Sequence, residues 1–492
     1  MPSILSKFFS PEWNVPYNCY EMGHGWTPYC SAAALEIGLI VFQQSLKLYA
    51  PLYLGQTILQ KKFDQKNLMK TTQSILRSSI FLGANAFLVI LFLCLSLRIS
   101  GRFYYPLNAY LPSFFGSLLA ILNERPSRRK ALAFYVANIA SEITYKISIS
   151  RGYIRPLPNG KYLLFTMAIS ILLFIYENNL LRDPLICFIF QLVIGNRNSR
   201  RQQPQQQQQQ HEHENDDDDQ ESIIESNKNL WNKCWWWWWW PKHLGRFWWF
   251  TIKNRFPILA FSHPYCSHHH LGYSCFENIL FQSFLKSFTL GWFSQLGLRF
   301  ISKLMAGHFH DAFNIFRPNH LISSSRYLSF ALFISSFSTV YNSSICMLNH
   351  FIHHRSWNCL LSSILASTAS FSLFSTPNTS MSLYLVWKSV EALFNVAVMK
   401  GYIPCDRLWI TIIYAIACSQ IFYASILEPS QMKPSYKRFL DSICQNRLQY
   451  INRNVLEVFG TNASKGYEYF LPSYDLRFTT RQFQESVLIW LF

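Results

Sequence analysis

The sequence predicts an all-α fold, a polytopic bundle of membrane-spanning helices, and three observations carry that prediction. Apolar runs of about 20 residues recur along the chain, long enough to cross a hydrocarbon core about 30 Å thick as helices. Only 14% of the 492 residues are charged, while 50% are hydrophobic and 17% aromatic. A soluble domain usually carries about a quarter charged residues, so the deficit is large. Mean hydropathy is only +0.07, because a polar middle and a polar tail dilute the apolar runs. The third observation is where the positive charge sits. Lys61, Lys62, Lys66, Lys70 and Arg77 form one cluster; Arg125, Arg128, Arg129 and Lys130 form a second; Arg197, Arg200 and Arg201 form a third. Each lies between apolar runs, where positive charge sets orientation and meets anionic lipid. The formal net charge of +18 therefore points to membrane lipids as partners and not to nucleic acid.

About ten spans follow, in order along the chain. The cleanest is 78–97, which lacks a formal charge. Before it comes 32–54; after it come 108–122, 131–149, 161–176 and the short 184–194. A second group comprises 273–300, 327–347, 358–374, 380–399 and 408–427. Several are short or hold charges, as in a bundle whose inner faces need not be oily. The first run begins near Ser31, after a polar stretch with Glu12, Asn18 and Glu21, so insertion by an internal signal or after translation is expected. Asn342-Ser-Ser and Asn378-Thr-Ser match the glycosylation pattern and are read as chance. The loops after the first and third spans are the most basic, which puts the N-terminus on the face opposite them.

Between the groups lies a polar insert, residues 195–271, with the tracts Gln205–Gln210, Asp216–Asp219 and Trp235–Trp240. Gln and Asp homopolymers cannot bury a core, so this linker is expected to be disordered. The tryptophans read either as an interfacial belt or as a run without a specific role. The domain plan is then an N-terminal Cys/His segment (1–30), a first transmembrane repeat (31–194), the linker, a second repeat (272–427) and a basic tail (428–492).

The two groups of spans resemble one another. Arg77–Ile154 lies against Arg326–Ile403 without a gap, so that Tyr135 meets Tyr384, Glu142 meets Glu391, and Arg151-Gly-Tyr-Ile meets Lys400-Gly-Tyr-Ile. Upstream, Phe42-Gln-Gln-Ser-Leu-Lys is similar to Phe281-Gln-Ser-Phe-Leu-Lys. An internal duplication is the reading favoured over chance likeness between apolar helices, and duplicated membrane proteins often hold a site where their halves meet.

The residues with chemistry to offer are few. Glu142 and Lys146 are four apart on one helix face, and Lys388 and Glu391 three apart on another. A lone charge at mid-membrane costs roughly 2.5–3.5 kcal/mol on insertion scales, so these four must face protein or water. They lock helices together or line a polar pathway. Glu36, Lys47 and Lys286 lie nearer span ends, where a long side chain can reach the interface. The segment CYEMGHGWTPYC supplies Cys19, His24 and Cys30, and CSHHHLGYSC supplies Cys266 and Cys275. Thiolate and imidazole are zinc ligands. Free thiols or a disulfide are the competing reading, because the spacing is wider than in a zinc knuckle. The other cysteines within apolar runs, such as Cys94, Cys187 and Cys418, read as small buried hydrophobes. No Gly-rich phosphate loop, Gly-x-Ser-x-Gly elbow or His-Glu-x-x-His is present, so neither an enzyme nor a cofactor is expected.

The N-terminal CYEMGHGWTPYC and QQSLKLYAPLYL, the middle stretch ERPSRRKALAFYVANIASEITYKISISRGYI, and the C-terminal KPSYKRFL and NRNVLEVFGTNASK together resemble the transmembrane protein 135 family. The resemblance spans nearly the whole chain except the insert, whose Gln, Asp and Trp tracts depart from it. It implies a multi-pass protein of mitochondrial and peroxisomal membranes, tied to mitochondrial fission through the dynamin-related fission GTPase and to peroxisome and lipid metabolism. It supplies no catalytic residues. A lipid or solute transporter working through the two-repeat core is the alternative, and a protein-translocase subunit with small-residue helix contacts around Phe115-Gly-Ser-Leu-Leu-Ala is a third.

Overall fold

The computed structural model describes residues 13–59, 64–194, 278–305, 325–352, 355–373, 379–402, 407–467 and 473–489. The polar linker, with Cys266 and Cys275, lies outside the described residues. In chain order the elements are β1 (Asn14–Val15), α1 (Cys19–Met22), α2 (Cys30–Leu59), α3 (Gln65–Ser100), β2 (Phe103–Tyr104), α4 (Leu107–Ile121), α5 (Pro126–Ser150), α6 (Gly160–Glu177) and α7 (Pro184–Val193). They continue with a π-helical turn (Asn278–Leu285) running into α8 (Lys286–Met305), then α9 (Ser325–Phe351), α10 (Arg355–Leu373), α11 (Thr379–Met399), α12 (Arg407–Leu427) and α13 (Pro434–Ile443), before short 3₁₀ turns in the tail. The fold is all-α; β1 and β2 form only a two-residue antiparallel ladder, Asn14 against Tyr104 and Val15 against Phe103.

Local sequence sets the helix ends. Gly101 takes the left-handed conformation that closes α3 (φ 68°), its N–H bonding to the Leu97 carbonyl at 2.9 Å. Pro126 and Pro184 sit in the first turns of α5 and α7, where a missing N–H costs nothing. Asp183 caps α7 by accepting from the Leu185 and Ile186 amides. The two aligned Gly-Tyr-Ile motifs end their helices alike. Gly152 and Gly401 have φ of 74° and 72°, and the following Tyr153 and Tyr402 amides reach back to the Ser148 and Ala397 carbonyls at 2.9 and 3.0 Å.

The chain forms two compact units, residues 1–156 with 405–492 and residues 157–404. In the first, α2 packs on α3, α3 on α4, α4 on α12 and α12 on α5. In the second, α8 packs on α9, α9 on α10, α10 on α6 and α6 on α11. The neighbour order is the same in both. In each of these packing chains four helices come from one stretch of sequence and the fifth, α12 or α6, follows the fourth helix of the other stretch. The compact units therefore cut across the sequence halves 31–194 and 272–427.

Among the described residues, five helical stretches are long and apolar enough to cross a membrane: Gln65–Ser100, Gly160–Glu177, Leu328–Asn349, Thr379–Met399 and Leu408–Leu427. Leu107–Ile121 and Pro184–Val193 are apolar but shorter. Apolar side chains on these helices, Ile80, Leu95, Leu163, Met167, Leu393 and Ile416 among them, remain exposed. In water such a surface would drive aggregation; in lipid it is the solvated face. The inward faces are small and polar. Ser117 donates to Asn85 Oδ1 at 3.1 Å, and Asn85 donates to the Tyr414 hydroxyl at 2.9 Å, joining α4, α3 and α12. In the second unit Ser363 and Ser170 bond at 2.7 Å and Ser336 and Ser370 at 3.1 Å. Lipid tails are as apolar as leucine, so close backbone approach and hydrogen bonds supply what the hydrophobic effect cannot.

Candidate functional site

Cys19 opens α1, whose entry is fixed by a reciprocal capping box between Asn18 and Glu21. After α1 the chain turns at Gly23 and places His24, whose imidazole Nδ1 lies 2.7 Å from the Thr27 carbonyl. A carbonyl only accepts, so Nδ1 carries the proton and Nε2 keeps its lone pair. That Nε2 is buried and has no hydrogen-bond partner. Cys30 begins α2, and Cys94 faces the same point from α3. One donor atom from each of Cys19, His24, Cys30 and Cys94 lies within 4.8 Å of the others. His24 and Cys94 are each 3% exposed. Cys19, Cys30 and Cys94 are thiols and not disulfide partners. Hydrogen bonds from the Cys19 and Cys94 side chains hold the Cys30 thiol well below its usual range. Cys19, whose proton Cys30 holds and which is also buried, is pushed up to about 12.

Sequence spacing thus placed three of these four donors together. It paired them with Cys266 and Cys275, which lie outside the described residues, and it read Cys94 as a packing residue. Nothing in a thiol embedded in an apolar run distinguishes a donor from a hydrophobe; only the packing of α3 against the N-terminal segment brings it here.

The same segment is the seat of the C-terminal tail. Glu21 is fully buried; its carboxylate accepts from the Asn18 amide at 2.7 Å and from the Thr480 amide. The Tyr474 hydroxyl donates to the Glu21 carbonyl at 2.7 Å, the Asp475 amide to the Tyr20 hydroxyl at 2.9 Å, and the Asn452 amide to the Met22 carbonyl at 2.8 Å. Edge-to-face rings, Tyr17 on Phe483 (5.3 Å) and Tyr20 on Tyr474 (5.6 Å), fill the space between. Glu36 accepts from Trp26 at 2.9 Å and pairs with Arg447.

The charged pairs in the helices are formed as their spacing suggests. Lys146 and Glu142 meet at 3.0 Å on α5. Lys388 and Glu391 meet at 3.0 Å on α11, and Lys388 also binds Asp183 at 2.9 Å. Asp183 went unnoticed in the sequence: Asp-Pro at a helix start signals a cap, and says nothing of a cation from a distant helix. One consequence is testable. Lys388→Met leaves Asp183 and Glu391 facing each other, and we expect a loss of roughly 2–3 kcal/mol, below that for a fully buried pair because all three are partly exposed. Thermal unfolding in detergent reads it, with Lys388→Arg close to wild type.

A second buried network also went unread. Arg151, just beyond α5, donates to the Tyr105 and Tyr423 hydroxyls at 2.6 and 2.7 Å and pairs with Glu428. Tyr423 in turn donates to Glu428 at 3.1 Å. The aligned Arg151-Gly-Tyr-Ile motif marked the position, but its partner stands at the boundary drawn for the tail.

A family model described as the N-terminal cysteine-rich region of Transmembrane protein 135 matches residues 16–149. That stretch contains all four donors and the whole of α1 to α4. No solved structure matches the chain.

Proposed function

We propose that this chain, which belongs to the transmembrane protein 135 family by its residues 16–149, is a non-enzymatic multi-pass protein of mitochondrial and peroxisomal membranes, built from two related halves, that promotes mitochondrial fission and acts in peroxisome and lipid metabolism. The observation that carries this reading is the folded tail. Residues 433–467 and 473–489 do not trail away but dock on the N-terminal segment, which gives the membrane helices a structured cap. On that cap the Arg477 and Arg481 side chains are 82% and 91% exposed. Each is paired with a neighbouring carboxylate, Arg477 with Asp475 and Arg481 with Glu485. The edge thus offers exposed guanidinium donors already held in place, which suits recruitment of a soluble partner, for which the dynamin-related fission GTPase is the candidate, or contact with anionic lipid.

The partly buried Asp183–Lys388–Glu391 group favours a second reading, a lipid or solute transporter whose charged core gates a pathway. One cell experiment separates them. Mitochondrial length is measured in cells expressing matched membrane levels of wild type, Arg477→Glu/Arg481→Glu, or Glu142→Gln/Glu391→Gln. Under the recruitment reading wild type shortens mitochondria, the arginine variant does not, and the glutamine variant behaves as wild type. The reverse pattern favours the transporter, and no shortening by wild type counts against a fission role.

A further inference from the structure

We propose that Cys19, His24, Cys30 and Cys94 bind one zinc ion, and that this ion fastens the N-terminal segment to α3 and so keeps the seat on which the C-terminal tail docks. The donors come from three separate pieces of chain: α1 and the turn after it, the start of α2, and the last two turns of α3. Nothing in local folding requires side chains from such distant positions to converge.

The chemistry of the donor set selects the metal. Three thiols and an imidazole match the closed Cys₃His shell of structural zinc, which is tetrahedral with Zn–S of about 2.3 Å and Zn–N of about 2.0–2.1 Å. Those bond lengths place sulfurs about 3.8 Å apart, so a cluster spanning 4.8 Å closes with a shift of about 1 Å. The imidazole is already oriented as a zinc ligand is: Nδ1–H on a backbone carbonyl, Nε2 turned away from solvent and without a partner. An unpaired buried nitrogen is costly, and a metal relieves it. Soft thiolates disfavour magnesium or calcium, and four protein donors leave no open position for catalysis. Binding releases the protons of the thiols that are still protonated to solvent, so occupancy falls as the medium is acidified.

The consequence for the tail follows from the contacts. Met22, Tyr20 and Glu21, which receive Asn452, Asp475, Tyr474 and Thr480, all lie between the ligands Cys19 and His24 in sequence. Loss of the ion frees both ends of that short seat at once.

The test uses the full chain purified in detergent without a polyhistidine tag. Metal analysis is expected to find about one zinc per chain. Cys94→Ser and Cys30→Ser should each lose it, His24→Cys should keep it in an all-thiolate shell, and Cys266→Ser/Cys275→Ser should leave it unchanged. Cobalt substitution should give thiolate-to-cobalt charge-transfer absorption with the d–d bands of a tetrahedral site. Because serine variants can misfold, wild type is also stripped with a chelator and its tail probed by limited proteolysis. Tail cleavage should accelerate by about tenfold or more and return to its first rate on adding zinc but not magnesium. Wild type without zinc and with a Cys19–Cys30 disulfide, zinc retained in Cys94→Ser, or zinc lost with Cys266 and Cys275 overturns the site. Zinc removal without any change in tail cleavage overturns its role as a fastener.

Discussion

Glu428→Ala is expected to destabilise the first unit by about 2–3 kcal/mol, below the cost for a fully buried pair because the Arg151 side chain left behind is 29% exposed. The Glu428 side chain is 4% exposed and answers the Arg151 guanidinium while accepting from Tyr423. Alanine leaves a partly exposed cation and the Tyr423 hydroxyl without their acceptor. Glu428→Gln keeps an acceptor and should lose less. The double variant Arg151→Met/Glu428→Leu removes both charges and should recover most of the loss, since apolar packing often replaces a buried pair at little cost. Thermal unfolding of the detergent-solubilised protein measures all three. Alanine at 428 costing under about 1 kcal/mol would show that the pair is already solvated.

Overpacking at Gly116 should be comparably severe. A Cβ placed there would stand 2.8 Å from the Val89 amide nitrogen and 2.9 Å from its Cα, so the obstacle is backbone and cannot swing aside. Gly116→Leu must push α4 off α3, and we expect a loss of about 3 kcal/mol or more, at or beyond the upper end of overpacking in cores. Monodisperse protein recovered by size exclusion should fall accordingly. Gly55, on α2, has nothing within 4 Å of an added Cβ, so Gly55→Leu serves as the control and should match wild type. If both variants are recovered equally, the α3–α4 approach is not the constraint it looks to be. The same closeness recurs between α2 and α3, where a Cβ on Gly38 would meet Phe87 Cβ and one on Gly83 would meet Phe42 Cβ, each at 2.9 Å. Small residues in membrane helices are here because backbones touch.

Much of this was legible in the sequence, for reasons particular to each case. Glu142 with Lys146, and Lys388 with Glu391, were readable because helical periodicity alone puts residues three or four apart on one face. The aligned Arg151-Gly-Tyr-Ile and Lys400-Gly-Tyr-Ile motifs were readable as a likeness between the two stretches, and the structure shows Gly152 and Gly401 taking the same left-handed turn in each. Cys19, His24 and Cys30 stood out because they lie close along the chain. Cys94, Asp183 and the Arg151–Glu428 pair did not, because each is defined by a partner 64 residues or more away. No local pattern encodes such a meeting.

Sequence by itself determined that this is a helical membrane protein, since the length and apolarity of a span are properties of consecutive residues and the bilayer is their solvent. It also determined the likeness of Arg77–Ile154 to Arg326–Ile403. Only the tertiary structure decided which helices share a unit. There α6 and α12 each pack among the four helices of the other stretch, a choice set by the fit of faces distant in sequence. The same long-range packing, and not the spacing of its cysteines, brought α3 to the N-terminal segment and completed the four-donor cluster.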